Sequence, residues 1–129
     1  ARLGLDRCLP VRARADRQPP WRRCVPLILV DAPCSGLGVL ARRPDAKWKR
    51  TPEDVAAIAA LQGRILDQAA RVTAPGGVLI YLTCTVNPAE NQDRLEDFLA
   101  SHDQFDVDRL RSTPLDSPWG EFFWGAALR

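Results

Sequence analysis

The sequence predicts an α/β fold whose sheet is mainly parallel. Two short runs are apolar throughout, residues 25–30 (VPLILV) and 78–82 (VLIYL), as in strands that are buried on both faces. Between them lies a segment with helical periodicity and a strong start signal. A chain of 129 residues, of which 46% are hydrophobic, is long enough for one domain, and this composition excludes collagen-like, coiled-coil and disordered proteins.

The first strand is expected to end at Asp31, and a loop over residues 32–50 follows it. The helix begins after Thr51, a capping residue followed by Pro52 and by two acidic residues that favour the first turn. Pro75, with two glycines after it, ends the helix before the second strand. One helical stripe holds the residues expected to face the core, namely Val55, Ile58, Ala59, Ile65, Leu66, Ala69 and Val72.

The rest of the chain predicts a second helix and two further strands. Residues 87–90 (NPAE) match a capping box with proline at the first helical position, and a short helix is expected from there to near His102. Strands are predicted over residues 105–110 and 121–128, with a proline-rich loop between them over 112–120. The order β–loop–α–β–α–β–β is typical of an α/β domain.

The distribution of charge, the apolar runs and the cysteine pattern argue against a membrane, secreted or metal-binding protein. Lys and Arg number 18 against 16 Asp and Glu, but residues 1–50 hold 12 of the basic and 4 of the acidic ones. No apolar run approaches the ~20 residues of a membrane helix and no secretory signal opens the chain, so we expect a cytoplasmic protein without a membrane partner. The four cysteines include no C-x-x-C pair, which argues against a metal site and favours reduced thiols.

Two cysteines follow the predicted strands where the strands end. A strand–helix–strand unit is right-handed and places its two parallel strands side by side, ~4.8 Å apart. The loops 31–36 (DAPCSG) and 83–85 (TCT) therefore open at one sheet edge, where open α/β sheets bind ligands. This topology predicts that Cys34 and Cys84 lie in one crevice beside the Asp31 carboxylate. The alternative, that both cysteines are small core residues, stays open from the pattern alone.

Five short motifs carry a resemblance to a known family that covers roughly residues 10–129. They are DAPCSGLG (31–38), RRPDAKW (42–48), TCT (83–85), PAEN (88–91) and GEFFWGAAL (120–128). In type and spacing this set resembles the Sun/RsmB family of RNA cytosine-5 methyltransferases. The resemblance implies a Rossmann-like class I methyltransferase fold with an antiparallel last strand. It also implies S-adenosylmethionine as the cofactor and RNA, in particular ribosomal RNA, as the partner.

The same resemblance assigns roles to individual residues. Cys84 would be the nucleophile that adds to cytosine carbon 6, which requires a lowered thiol pKa. Cys34 would assist removal of the carbon-5 proton and release of the product, and Asp31 would sit against the nitrogen-3 edge of the base. A carboxylate that only caps its loop is the alternative for Asp31. The cofactor would contact Asp16, Asp31 and Pro33.

A basic segment follows the first cysteine loop and predicts contact with RNA. Positive side chains neutralise phosphates, and an aromatic ring can stack on a base. The members of the segment are Arg42, Arg43, Lys47, Trp48, Lys49 and Arg50. The alternative is a solvated loop with Trp48 packed on the helix. Four aromatic residues near the other end are expected to pack the last strand, namely Trp119, Phe122, Phe123 and Trp124.

Two departures from the family pattern bear on the extent of the domain. Thr85 stands where the family more often has serine, and the strand with the glycine-rich cofactor loop that begins the family's catalytic domain is missing. The sequence also holds no methionine, as expected for a piece of a longer protein. We therefore expect residues 1–24 to be a remnant of the cofactor half and 25–129 to be the C-terminal half of the catalytic domain, inactive alone and unable to bind the cofactor. A non-catalytic RNA-binding or interaction module is the alternative. The first strand would leave an unpaired apolar edge through which the chain could self-associate.

Overall fold

A computed structural model of the chain describes residues 8–20 and 25–129. The elements are β1 (Val25–Asp31), α1 (Ala46–Lys49), α2 (Pro52–Val72), β2 (Thr73–Thr83), a 3-10 helix (Pro88–Glu90), α3 (Gln92–Ser101), β3 (Val107–Ser112) and β4 (Trp124–Leu128). The sheet has the strand order β1-β2-β4-β3. β1 and β2 are parallel, and β4 is antiparallel to both β2 and β3. Three strands thus run in one direction and the last opposes them, which confirms the predicted fold class.

The start of α2 follows the sequence prediction closely. The Asp54 N–H donates to Thr51 Oγ1 at 3.2 Å, and the Thr51 N–H donates to the Asp54 carboxylate at 3.0 Å, which forms a complete capping box. The predicted stop at Pro75 lies inside β2 instead, because α2 ends at Val72 and the strand begins at the next residue. No helix in the described ranges is long and apolar enough to cross a membrane.

The core lies between the sheet and the two longer helices. Leu79 and Tyr81 of β2 are fully buried there, together with Leu66 of α2. The prediction that the first strand is buried on both faces is wrong, since Leu27 and Leu29 are 58% and 59% exposed. The helices cover only one face of β1, and a wide cavity lies along the strand. Among the described residues β1 is also the outermost strand on its side of the sheet.

The last strand is shorter than predicted because the segment before it folds back. The Phe122 N–H donates to the carbonyl of Gly38 at 2.7 Å, and the Thr113 N–H donates to the carbonyl of Phe123 at 2.9 Å. Residues 113–123 are thereby attached to the loop that carries the first cysteine. Of the predicted N-terminal remnant, residues 1–7 and 21–24, and with them Cys24, lie outside the described residues.

Candidate active site

The two cysteines lie in contact at the carboxyl ends of β1 and β2. Asp31 pairs with Leu82 in the parallel register, and the Ala32 N–H donates to the Leu82 carbonyl at 2.9 Å. The loops that follow place Cys34 Sγ 3.1 Å from Cys84 Sγ, and the Cys84 N–H donates to Cys34 Sγ at 3.3 Å. Both thiols are free. The fold therefore brings together the two thiols that the sequence placed at neighbouring strand ends.

The electrostatic environment of Cys84 differs from the one expected. Burial raises the pKa of the Cys84 thiol to about 12, and the hydrogen bond to Cys34 and the charge of Asp31 contribute to the rise. The expectation of a lowered pKa is therefore wrong for this structure. Because the side chain is a neutral thiol near pH 7, it must lose its proton before it can act as a nucleophile.

A cavity of about 990 Å³ runs along β1 toward the cysteine loops. Asp31 and Pro33, two of the residues predicted to contact a cofactor, both line it. Most of the wall is apolar and includes Leu27 and Leu29, whereas Asp31 places a carboxylate at one end. Arg14 and Arg17 also line the cavity, so charges of both signs border its apolar wall. S-adenosylmethionine carries an aromatic adenine, a sulfonium and the two opposite charges of an amino acid, and this lining matches it in chemical type.

Asp16, the third residue predicted to contact the cofactor, is held by arginines. Arg14 donates two hydrogen bonds to the Asp16 carboxylate at 2.9 and 2.7 Å, and Arg64 Nε lies 3.9 Å from it. The hydrogen bond from Arg14 lowers the pKa of Asp16. Its neighbours Ala15 and Arg17 line the cavity. The structure thus ties Asp16 to arginine side chains beside the cavity wall.

A buried polar cluster lies beneath the two cysteine loops, and the sequence analysis did not identify it. The expected capping box at residues 87–90 is wrong. Asn87 Oδ1 accepts from the Ala89 N–H at 3.0 Å, but the Glu90 side chain turns inward and accepts from the Ser35 N–H at 2.8 Å. The only signal in the sequence was the polar composition of the motifs TCT and PAEN. The cluster consists of Ser35, Gln62, Thr83, Thr85, Glu90 and Asn91.

Asn91 of this polar cluster holds both sides of Cys84. Thr83 Oγ1 donates to Asn91 Oδ1 at 2.5 Å, and Asn91 Nδ2 donates to the Thr85 carbonyl at 2.8 Å. Since these are the residues immediately before and after Cys84, one amide fixes the backbone that carries the thiol.

The basic segment of residues 42–50 lies at the surface next to the first cysteine loop. Trp48 is 82% exposed, so the alternative in which it packs on the helix is wrong. Lys47 Nζ lies 5.3 Å from the centre of the Trp48 ring, within the range of a cation–π contact. Arg50 Nε donates to the Ser35 carbonyl at 3.3 Å, Lys49 pairs with Asp45 at 2.7 Å, and Arg42 forms an ion pair with Glu121. Arg43 is also exposed.

The aromatic residues near the end of the chain divide into two groups. Trp124 is buried in the core and Phe122 packs partly against it, as expected. Trp119 is 72% exposed, so its predicted packing against the last strand is wrong, whereas Phe123 is 46% exposed. The reason is the fold-back of residues 113–123, which leaves Trp119 on a surface loop whose Glu121 pairs with Arg42.

Comparison of the sequence with known proteins finds a matching family and several relatives. The family model described as 16S rRNA methyltransferase RsmB/F matches residues 1–121. Ribosomal RNA small subunit methyltransferase B of Pseudomonas syringae pv. tomato is 46% identical over 101 residues, which cover 77% of this chain and 22% of that protein. The corresponding protein of Vibrio vulnificus is 49% identical over 73 residues, which cover 57% of this chain and 17% of that protein.

Two solved structures share the fold. The crystal structure of PH0851 superposes with a TM-score of 0.82 at 26% identity and covers 99% of this chain and 32% of that one. The crystal structure of NSun6 from Pyrococcus horikoshii with SFG superposes with a TM-score of 0.68 at 27% identity, and the match covers 79% of this chain and 29% of that one. The chain spans about a fifth of the length of the curated relatives it matches. With a family match over nearly the whole sequence, the chain belongs to the RsmB/F family of 16S rRNA methyltransferases.

Proposed function

We propose that the protein containing this chain methylates carbon 5 of a cytosine in RNA, with ribosomal RNA as its substrate and the cytoplasm as its compartment. The observation that carries the proposal is the contact of two free thiols, 3.1 Å apart, at the ends of adjacent parallel strands. Carbon 5 of cytosine is a weak nucleophile, so its methylation needs one group that adds to the ring and another that removes a proton. Relatives named ribosomal RNA small subunit methyltransferase B support the choice of substrate.

Cys84 acts first in the proposed reaction. Its thiol passes a proton to solvent, and the sulfur forms a bond to ring carbon 6, which shifts an electron pair toward carbon 5. Asp31 sits against the nitrogen-3 edge of the base, and a hydrogen bond between its carboxyl group and ring nitrogen 3, with one proton shared between them, stabilises the charge that develops there. Asp31 and Pro33 would hold S-adenosylmethionine, whose sulfonium would supply the methyl group to carbon 5 and leave as the thioether S-adenosylhomocysteine.

Cys34 acts in the second half of the reaction. Cys34, whose own proton has passed to solvent, removes the proton from carbon 5 and becomes a thiol again. The freed electron pair re-forms the double bond between carbons 5 and 6, and the Cys84 sulfur leaves as a thiolate. The base is left methylated and both sulfurs are free again.

The basic segment of residues 42–50 would hold the RNA beside this site. Its positive side chains can neutralise phosphates, and the exposed ring of Trp48 can stack on an unpaired base. Arg50 links the segment directly to the Ser35 carbonyl, next to Cys34. A base whose backbone is bound to this segment would therefore lie close to the cysteine pair.

The test uses the full-length protein with an RNA substrate. We expect Cys84→Ala to abolish methylation and form no covalent complex. Cys34→Ala should instead accumulate a protein–RNA adduct that survives denaturing electrophoresis, since the thiol that triggers release is missing. Cys8→Ala is the matched control, because Cys8 is an exposed free thiol outside the pair. Full methylation by Cys84→Ala would contradict the proposal. RNA binding by the wild type without any methyl transfer would instead favour the non-catalytic binding module.

A further inference from the structure

The carboxylate of Glu90 connects the two cysteine loops. One oxygen, Oε2, accepts hydrogen bonds from the Ser35 N–H at 2.8 Å and from Gln62 Nε2 at 3.2 Å. The other, Oε1, lies 3.4 Å from Thr85 Oγ1, and the Ser35 and Thr85 hydroxyls are 2.8 Å apart. Ser35 follows Cys34 and Thr85 follows Cys84. A single side chain therefore contacts the residue after each cysteine.

The backbone beside Cys34 is held on both sides by the same group of residues. Gln62 Nε2, which donates to Glu90, also donates to the Pro33 carbonyl at 2.8 Å. The backbone of Glu90 is itself anchored, since the Tyr81 hydroxyl donates to its carbonyl at 2.7 Å. Through these hydrogen bonds Glu90, which follows β2 in the sequence, connects α2 with both cysteine loops.

The burial of Glu90 makes this arrangement costly unless every contact is kept. Its side chain is 0% exposed, and a buried carboxylate is tolerated only when donors surround it. An apolar residue of similar size would avoid that cost, but the Ser35 N–H and the Gln62 amide would then lose their acceptor inside the protein. The carboxylate therefore serves mainly to hold the two cysteine loops in place, and less to fill space in the core.

We propose that Glu90 is a positioning residue, which fixes the Cys34 and Cys84 sulfurs in the mutual orientation that methyl transfer uses. The catalytic purpose rests on the proposed function, whereas the positioning itself can be measured without any RNA. A shorter or missing carboxylate releases Ser35 and Thr85 together, so the two sulfurs no longer share one fixed geometry. Glutamine keeps the length of the side chain and an oxygen that can accept from Ser35.

The experiment measures how fast the two thiols form a disulfide. In a Cys8→Ser/Cys24→Ser background, diamide takes two protons and two electrons from Cys34 and Cys84, which join through a new S–S bond, and mass spectrometry follows the loss of two hydrogens. Because closure needs both sulfurs in the correct orientation, we expect Glu90→Ala and Glu90→Asp to slow it at least about tenfold, and Glu90→Gln to stay within about threefold of the parent. Glu96→Ala, on the exposed face of α3, is the matched control and should leave the rate unchanged.

Circular dichroism of each variant separates loss of positioning from loss of fold. If Glu90→Ala does not fold, the comparison of Glu90→Asp with Glu90→Gln decides. A Glu90→Asp rate equal to the parent rate, or a Glu90→Gln rate as slow as that of Glu90→Asp, would overturn the proposal. In the full-length protein, Glu90→Asp should lower kcat for methylation and leave KM for RNA unchanged. If the wild-type protein methylates no RNA but the disulfide rates follow the expected order, only the proposed function fails.

Discussion

The backbone N–H of Gly38 donates a hydrogen bond to the carbonyl of Cys84 at 3.0 Å, which attaches the first cysteine loop to the second. The carbonyl of Gly38 in turn accepts from the Phe122 N–H at 2.7 Å. A Cβ atom at this position would lie 2.5 Å from the Phe122 oxygen and 2.9 Å from the Cys84 oxygen. Three segments therefore meet at a residue that has no room for a side chain.

Gly38→Ala should destabilise the chain by about 2–3 kcal/mol, because backbone atoms on both sides would have to move. Urea unfolding followed by circular dichroism measures the change. Gly76→Ala is the control: its Cβ would meet nothing within 4 Å, and only its φ of +71° opposes alanine, so about 1 kcal/mol is expected there. Equal losses for the two variants would show that the contact at residue 38 is not tight.

Alkylation of Cys84 by iodoacetamide should be slow at pH 7 and should accelerate up to pH values near its pKa of about 12. The thiolate is the reacting form, and burial disfavours it. Mass spectrometry of peptides containing Cys84 measures the rate, with exposed Cys8 as the internal reference. A Cys84 rate that reaches its plateau below pH 8 would contradict the raised pKa.

Stability should also depend on the Cys84 thiol in alkaline solution. The folded-state pKa of about 12 lies above the ordinary thiol pKa of 9.0, so folding favours the protonated form. Its stabilising effect is complete below pH 9 and is lost as the pH rises from there toward 12. Cys84→Ala should therefore show a flatter decline in unfolding free energy across this window than the parent, as urea titrations at several pH values would measure. Parallel declines would count against the linkage.

Trp48→Ala should weaken binding of single-stranded RNA roughly tenfold, since stacking of one base on an aromatic ring contributes about 1–3 kcal/mol. Fluorescence anisotropy of a labelled oligonucleotide with the full-length protein provides the measurement. Leu115→Ala is a matched control, because Leu115 is 81% exposed, as Trp48 is, but lies outside the basic segment. An equal effect of the two substitutions would remove Trp48 from the RNA-binding surface.

The apolar edge of β1 should cause the 129-residue chain to self-associate. Leu29→Lys is expected to shift the population toward monomer in sedimentation velocity, because a charge on an exposed edge opposes strand pairing. Leu110→Lys tests the opposite edge of the sheet, where β3 also exposes a leucine, and should have the smaller effect. A parent chain that stays monomeric at high concentration would rule out association through β1.

The sequence predicts two helix capping boxes, and only one of them forms in the structure. Thr51 and Asp54 form the capping box that their spacing predicts, because the start of α2 is exposed and each group finds its nearest partner. Asn87 and Glu90 have the same spacing, yet Glu90 is buried and its acceptor oxygens bind Ser35, 55 positions away. In the buried site the Glu90 carboxylate binds the Ser35 N–H away from water, and this hydrogen bond is favoured over the solvent-exposed one that a capping box would form.

The sequence by itself determined the strands, the main helix, the family motifs and the proximity of Cys34 and Cys84. These follow from hydrophobic periodicity and from the handedness of a strand–helix–strand unit, both of which act over short stretches of chain. Only the tertiary structure decided the raised pKa of Cys84, the exposure of Trp119 and the position of Glu90 between the cysteine loops. Burial and buried hydrogen bonds depend on which segments meet in space, and no local pattern encodes that.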